Sequence, residues 1–461
     1  MSITHIGCII IPIMIICTMK LDMSNFILLT LFTSFFTSTA IIYVNIIDLH
    51  VGLQQFMAML LTFKFIYELF ISKNIEWKNL NIFLTLFIAY ASISIFIPLV
   101  FNKGNNYVIG VSSHMDFSPV HFSITNMTQL LYLLIGYIVY SITYICISNK
   151  YINYEIFIAR FNKAILYSAI TLGVLGIIQM FLNDNIFNFI FRQYNYNNQQ
   201  IEFLNQVVNR PSGPTGEPSF YALALVPMLC YIIYNLKTYI KENNKYLYTV
   251  SIVIIIIPLI VSKSSSFLIG ILLFTGILIL ISIKKLIKNY KFIRTTYLKS
   301  FDKSKIILYT IISLLVICII GIYIINSDIF RDFIYKIKGG GVSGSERTIA
   351  LIQHLKVFKD NIIFGVGFGS LRSKDLMSTW LACMGLVGNI LFALFFIRQL
   401  YCLLNINKRE SISLAIMITI SWGIMFISVP EPYYLYLWIY FAVSEYVISN
   451  QRLTGRINFK K

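Results

Sequence analysis

The sequence predicts an all-α, polytopic integral membrane protein with about 12–13 transmembrane helices. Two observations carry this reading. Of 461 residues, 57% are hydrophobic and only 12% are charged, about half the charged share of a soluble protein. Apolar runs of roughly 17–25 residues, long enough to cross a bilayer as helices, recur from end to end. No polar stretch is long enough to bury a core of its own, so residues 1–461 read as one membrane domain.

The first run, IGCIIIPIMIICTM, lacks a basic leader and a small-residue cleavage site, so it reads as a retained span near 5–19. Further spans are expected near 25–46, 51–72, 81–101, 127–147, 164–182, 218–236, 248–262, 267–283, 306–325, 379–404, 411–428 and 433–449. Lys64 and Glu68, four apart in the third, are spaced to pair along a helix. Few ionisable residues lie deep in the spans. Seven cysteines fall within or at the ends of apolar segments without a C-x-x-C pair, which marks them as apolar fillers. Gly385 and Gly388, in MGLVGN, are placed for close helix contact.

The net charge of +18 invites a nucleic-acid reading, but its placement argues against one. Alternate loops hold Lys150, Arg160 and Lys163, then Lys237, Lys241 and Lys245, then eight basic residues between Lys284 and Lys305. Lys408, Arg409 and the basic tail follow the same rhythm. Short basic loops stay in the cytoplasm, where they face anionic headgroups.

The other loops face outward, and three of them, near 102–126, 183–217 and 326–378, are long. Long ordered loops tend to be functional. The last is basic although outward, with Arg347, Arg372 and Lys374 among its cations, which suits an anionic ligand such as a phosphate group.

Within NRPSGPTGEPSFY, Pro211 and Pro214 stiffen the backbone while Gly213 and Gly216 permit turns. Pro218 suits the first position of a helix. Glu217 then falls at its cap with Arg210 one turn away, where the helix N-terminus favours anions. In GGGVSGSERTIALIQHLKVFKDN, three glycines read as a flexible lead. Ser343 and Glu346 have capping-box spacing, so a helix is expected from there to about Asp360. Arg347 and His354, seven apart, share one face of it. IIFGVGFGS mimics a phosphate loop, but no strand precedes it, so close backbone packing is the better reading. Lys263, in the short outward turn VSKSSSF, either reaches a phosphate or snorkels to the interface. Outward Tyr194 and Tyr196 either stack on sugars or anchor the interface.

An outward loop R-P-S-G-x-x-x-E-P-S, then S-G-x-x-R, then G-V-G-F-G and G-L-x-G before a late span resembles the O-antigen polymerase and ligase superfamily. The likeness is local, about 209–221 and 339–390, with SKSSS a weaker third piece. It looks most like the Wzy-type oligosaccharide repeat-unit polymerases. The resemblance implies a GT-C-like glycosyltransferase fold in a bacterial inner membrane, with its site on the periplasmic face. It also implies an undecaprenyl-diphosphate-linked oligosaccharide as substrate and no cofactor or metal. A chain-length regulator and a flippase would be partners. Where the family often has Arg, this chain has Lys263. Where ligases commonly carry a His, it has Lys374, which tilts the reading from ligase toward polymerase.

On this reading Arg210 and Arg347 bind the diphosphate and stabilise its departure. Either Glu217 or His354 takes the acceptor proton. Lys263, Arg372 and Lys374 contact substrate. Two other classes stay open: a lipid-linked oligosaccharide flippase or other transporter, and a non-catalytic subunit of a polysaccharide machine.

Overall fold

The computed structural model describes residues 2–44, 49–72, 77–101, 107–110, 117–149, 152–194, 200–203, 206–241, 245–295, 335, 340–406 and 408–453. The expected span at 306–325, Tyr196, Gly339 and the basic residues 299–305 lie outside these. The fold is mostly helical: α1 His5–Lys20, α2 Met23–Thr33, α3 Leu53–Ser72, α4 Ile82–Ser94, α5 Ile97–Phe101, α6 Ile124–Ile147, α7 Tyr154–Phe181 and α8 Asp184–Phe191. Then follow α9 Pro218–Lys241, α10 Lys245–Val261, α11 Ser265–Thr295, α12 Gly341–Asp360, α13 Leu376–Ile406, α14 Arg409–Ser428 and α15 Leu435–Leu453. Among the described residues, seven helices are long and apolar enough to cross a membrane, fewer than the expected 12–13.

α9, α10 and α11 alternate in direction, as do α13 and α14, so the bundle has two distinct ends. The starts of α9, α11 and α13 and the end of α14 meet at one end, around a single cavity. Lys241, Lys245, Lys408, Arg409 and the far half of α11, with Lys284 to Arg294, therefore belong to the opposite end. Arg409 confirms the pairing by donating to the carbonyl of Tyr234, low on α9, at 2.8 Å. The division matches the one expected from loop charge.

Strands occur as well, which the all-α expectation missed. They form β1 Ser2–Ile3, β2 Ala40–Val44 and β3 Leu49–Gly52 in one sheet, and two hairpins, β4 Tyr107–Ile109 with β5 Phe117–Pro119, and β6 Gln200–Phe203 with β7 Gln206–Asn209. The expected span at 25–46 is thus broken: α2 stops at Thr33 and the chain turns into β2. Its hydroxyl-rich corner bonds backbone groups of the cavity end instead. Thr39 Oγ1 donates to Phe191 O at 2.6 Å, and Ser38 N donates to Pro214 O at 3.1 Å.

The core centres on α9 and α14, both largely buried. Trp380, Phe392, Trp422 and Phe441 join α13, α14 and α15, with ring centroids 4.6 Å apart for Phe392–Trp422 and 5.2 Å for Trp422–Phe441. Below them Arg398 donates twice to Glu445, each bond 2.8 Å. Buried Gln399 donates to the same carboxylate and accepts from Ser444. This ion pair inside the bundle is tolerable because its polar atoms are paired. Lys64 and Glu68 pair as expected, 3.5 Å apart.

α13 is a broken helix. Gly385 has φ 57° and ψ −157° inside it, and the freed backbone groups are met by the glycine-rich segment. Val366 N and Gly367 N donate to Ala382 O and Cys383 O, while Leu386 N and Val387 N donate to Ile362 O and Ile363 O. The strands of chain approach so closely that a Cβ on Gly385 would lie 2.4 Å from Ile363 O, and one on Gly365 2.4 Å from Cys383 O. Close packing is therefore the role of GVGFG. Gly385 serves the backbone break, not the helix–helix contact expected for it.

Candidate functional site

Arg210 leaves β7 and enters a loop that the rest of the cavity end holds in place. Gln179, buried at the end of α7, uses its whole amide on this loop. Its Oε1 accepts from Ser212 N and Gly213 N, both at 2.8 Å. Its Nε2 donates to Arg210 O at 3.3 Å and to Ser212 Oγ at 3.4 Å. Arg192, fully buried, donates to the same Ser212 hydroxyl at 2.8 Å and lies 3.8 Å from Asp184. Gly213 takes φ 55°, the left-handed conformation open to glycine.

The Arg210 guanidinium reaches across to the α10–α11 turn. Nε donates to Ser262 O at 2.6 Å and Nη2 to Lys263 O at 3.2 Å. Lys263 has φ 45°, which aims its carbonyl at the arginine. α9 then opens as expected, with Pro218 first and Glu217 O accepting from Tyr221 N at 3.0 Å.

α12 begins at Gly341, capped by Gly340, and ends at Asp360. Gly340 and Gly341 are part of the helix start rather than a flexible lead, and Gly340 N donates to Tyr335 O at 2.8 Å. The helix starts two residues before the expected Ser343, and the Glu346 carboxylate pairs with Lys374 at 3.1 Å. Arg347, on the next position, makes no hydrogen bond or ion pair with any described residue. Asp375 caps α13, accepting from Ser378 N and Ser378 Oγ, both at 2.7 Å.

These pieces close around a cavity of about 700 Å³. Its polar wall holds Arg210, Glu217, Glu346, Arg347, Lys374 and Asp375, and its apolar wall includes Leu351, Leu355, Leu381 and Phe426. Three helix N-termini face it, marked by Pro218, Ser265 and Ser378. Each contributes the partial positive charge of a helix start. Burial lowers the pKa of both Arg210 and Arg347, and Glu217 draws each back up; Asp375 adds to this for Arg347. Such a chamber favours an anion with two or more acceptor oxygens attached to an apolar chain.

Of the seven expected site residues, Arg210, Glu217, Arg347 and Lys374 share this cavity. Three do not line it. Lys263 is exposed and contributes its carbonyl rather than its ammonium. Arg372 forms an ion pair with Glu431 beside a second, much smaller cavity. His354 is fully buried, and neither ring nitrogen has a hydrogen-bond partner among the described residues. Burial pushes its pKa down to about 4. Although it shares a helix face with Arg347, packing separates it from the chamber.

Sequence reasoning missed Asp375, Glu346, Gln179 and Arg192. Only Asp375 carried a local signal, the D-x-x-S spacing of a helix cap. Gln179 and Arg192 act across the fold on a loop some thirty or twenty residues away, and no spacing announces that. No three His, Cys, Asp or Glu side chains gather as a metal-ligand set among the described residues. No protein family matches the sequence, and no curated protein shows significant similarity to it.

Proposed function

We propose that the protein is a membrane glycosyltransferase that polymerises lipid-linked oligosaccharide repeat units. The growing glycan on undecaprenyl diphosphate is the donor, and the terminal hydroxyl of a new lipid-linked unit is the acceptor. One observation carries this reading: Arg210 and Arg347 converge, with three helix N-termini, on a chamber that sets a charged wall against an apolar one. That combination suits a diphosphate on a hydrocarbon chain.

The chemistry follows from the placement. Arg347 and Arg210 neutralise the charge that grows on the diphosphate as the anomeric C–O bond breaks. Glu217 is exposed at the rim, its carboxylate accepting from Ser219 Oγ at 3.3 Å, whereas His354 is closed off from the chamber. Glu217 is therefore the general base in this reading, taking the acceptor proton as the acceptor oxygen bonds to the anomeric carbon.

A lipid-linked oligosaccharide transporter is the second reading, and the broken helix α13 favours it, since transporters build substrate sites from discontinuous helices. One experiment separates the readings. Purified protein is incubated with lipid-linked repeat units extracted from host cells. A ladder of longer lipid-linked products supports the polymerase. Transfer to a different lipid acceptor only supports a ligase. Movement of the substrate across vesicles without any new glycosidic bond supports the transporter.

A further inference from the structure

Arg372 and Glu431 remain unused by the diphosphate chamber, yet they sit beside it. Glu431 lies in the α14–α15 connection, VPEPYY, and its carboxylate pairs with Arg372 while accepting from Tyr434 Oη at 3.2 Å. The ring of Tyr434 packs on Phe220, in the first turn of α9 just past Glu217, with centroids 5.9 Å apart. Glu431 and, more weakly, Glu217 raise the pKa of Arg372. Glu217 thus stands within electrostatic reach of Arg210, Arg347 and Arg372 together.

Around this ion pair the surface is built of half-buried tyrosines. Tyr132 and Tyr433 meet with centroids 5.7 Å apart at 42°. Burial raises the pKa of Tyr194, and Tyr132 and Glu431 raise it further. Its own ring is fixed, stacked on His50 at 5.1 Å and donating to Thr37 O at 3.0 Å. Beside Tyr433 is a small cavity of about 20 Å³, lined also by Gln129, Arg372 and Glu431. The Gln129 amide makes no hydrogen bond with any described residue.

Aromatic faces beside planar polar groups have the chemistry of a sugar site. Sugar C–H groups rest on the rings, while a carboxylate, a guanidinium and an amide each meet vicinal hydroxyls with two hydrogen bonds. We propose that the acceptor's terminal sugar binds on the platform of Tyr132 and Tyr433 around Arg372–Glu431, with Glu217 between it and the diphosphate chamber. The inference rests on the polymerase reading only for what fills the neighbouring chamber. It assigns Arg372 to the acceptor sugar and gives Glu431 a role in binding it. In the step itself, the acceptor O–H loses its proton to Glu217, and that oxygen bonds to the donor's anomeric carbon. The anomeric C–O bond breaks, the diphosphate leaves with its electron pair, and the proton passes from Glu217 to water.

The test uses the full-length protein in nanodiscs and two probes. One is the oligosaccharide released by mild acid from the host cell's surface polysaccharide, followed by saturation-transfer NMR. The other is undecaprenyl diphosphate, followed by thermal shift. Tyr132→Ala and Glu431→Gln are expected to weaken the glycan at least tenfold while changing affinity for undecaprenyl diphosphate less than twofold, which also reports that both variants are folded. Arg347→Ala should do the reverse. Glycan binding that is absent in the wild type, or unchanged in both platform variants, overturns the platform. Glycan binding that depends on Tyr132 and Glu431 in a protein that does not bind undecaprenyl diphosphate upholds the platform and refutes the lipid-diphosphate reading instead.

Discussion

Replacing Gln179 with leucine tests whether the Arg210 loop is built from beneath. The side chain is 1% exposed and touches no part of the chamber. Leucine is close in size but accepts nothing, so Ser212 N and Gly213 N lose their 2.8 Å partners. Each buried N–H left unmet costs about 1–3 kcal/mol, so the built loop loses about 2–6 kcal/mol against its alternatives. At tenfold per 1.4 kcal/mol, even the lower figure shifts that balance about 30-fold. Arg210 would then leave the carbonyls of Ser262 and Lys263 for much of the time. Because misplacing a catalytic group by about 1 Å costs about 10²-fold, kcat for chain extension should fall about 10²-fold. KM for the acceptor should barely move. Gln179→Glu keeps the acceptor for both N–H groups and loses only the two longer donations, so it should recover most of the rate. Kinetics in nanodiscs with lipid-linked repeat units give the readout. If the leucine variant extends chains at the wild-type rate, Gln179 does not position Arg210 and the account of the loop is wrong.

The other expectations concern the chamber, the buried histidine and the topology. Arg347→Ala should lower the rate about 10²–10³-fold with the protein still inserted, and a near-normal ladder from it removes Arg347 from the mechanism; Arg347→Lys should rescue poorly because an ammonium cannot bond bidentately, and full rescue refutes the bidentate role. Glu346→Gln releases Lys374 from a half-exposed pair, so affinity for undecaprenyl diphosphate should rise by up to about fivefold, while Lys374→Ala should lower it. His354 has a folded pKa of about 4 against about 6.5 unfolded. The unfolded chain therefore takes up the proton first, and stability falls as pH drops from about 6.5 to 4, by about 3 kcal/mol in full. Thermal midpoints in detergent should show this slope in the wild type and lose it in His354→Asn. A cysteine at Lys263 should label from outside the cell and one at Lys408 only from within; the opposite pattern reverses the topology.

Span character, the sorting of loops to two ends of the bundle and the helix start at Glu217–Pro218 were legible in the sequence because each is a local property. Hydropathy and charge act residue by residue, and a proline at the first helical position needs no distant partner. Four of the seven expected site residues share one chamber for the same reason: they sit at helix starts or in the loops before them, and helix starts of one orientation gather at one end of a bundle. Tertiary structure alone decided the rest. Arg347 and His354 have the spacing of one helix face, yet the packing around α12 opens one to the chamber and buries the other. Glu346 looked like a cap and became the partner of Lys374, since a salt bridge to a residue 28 positions on is invisible to spacing. Gln179 is an unremarked polar residue at the end of a span until the fold brings the Ser212–Gly213 backbone to it. Contacts between residues distant along the chain depend on how helices pack, and a linear pattern does not encode which polar atom will be left needing a partner.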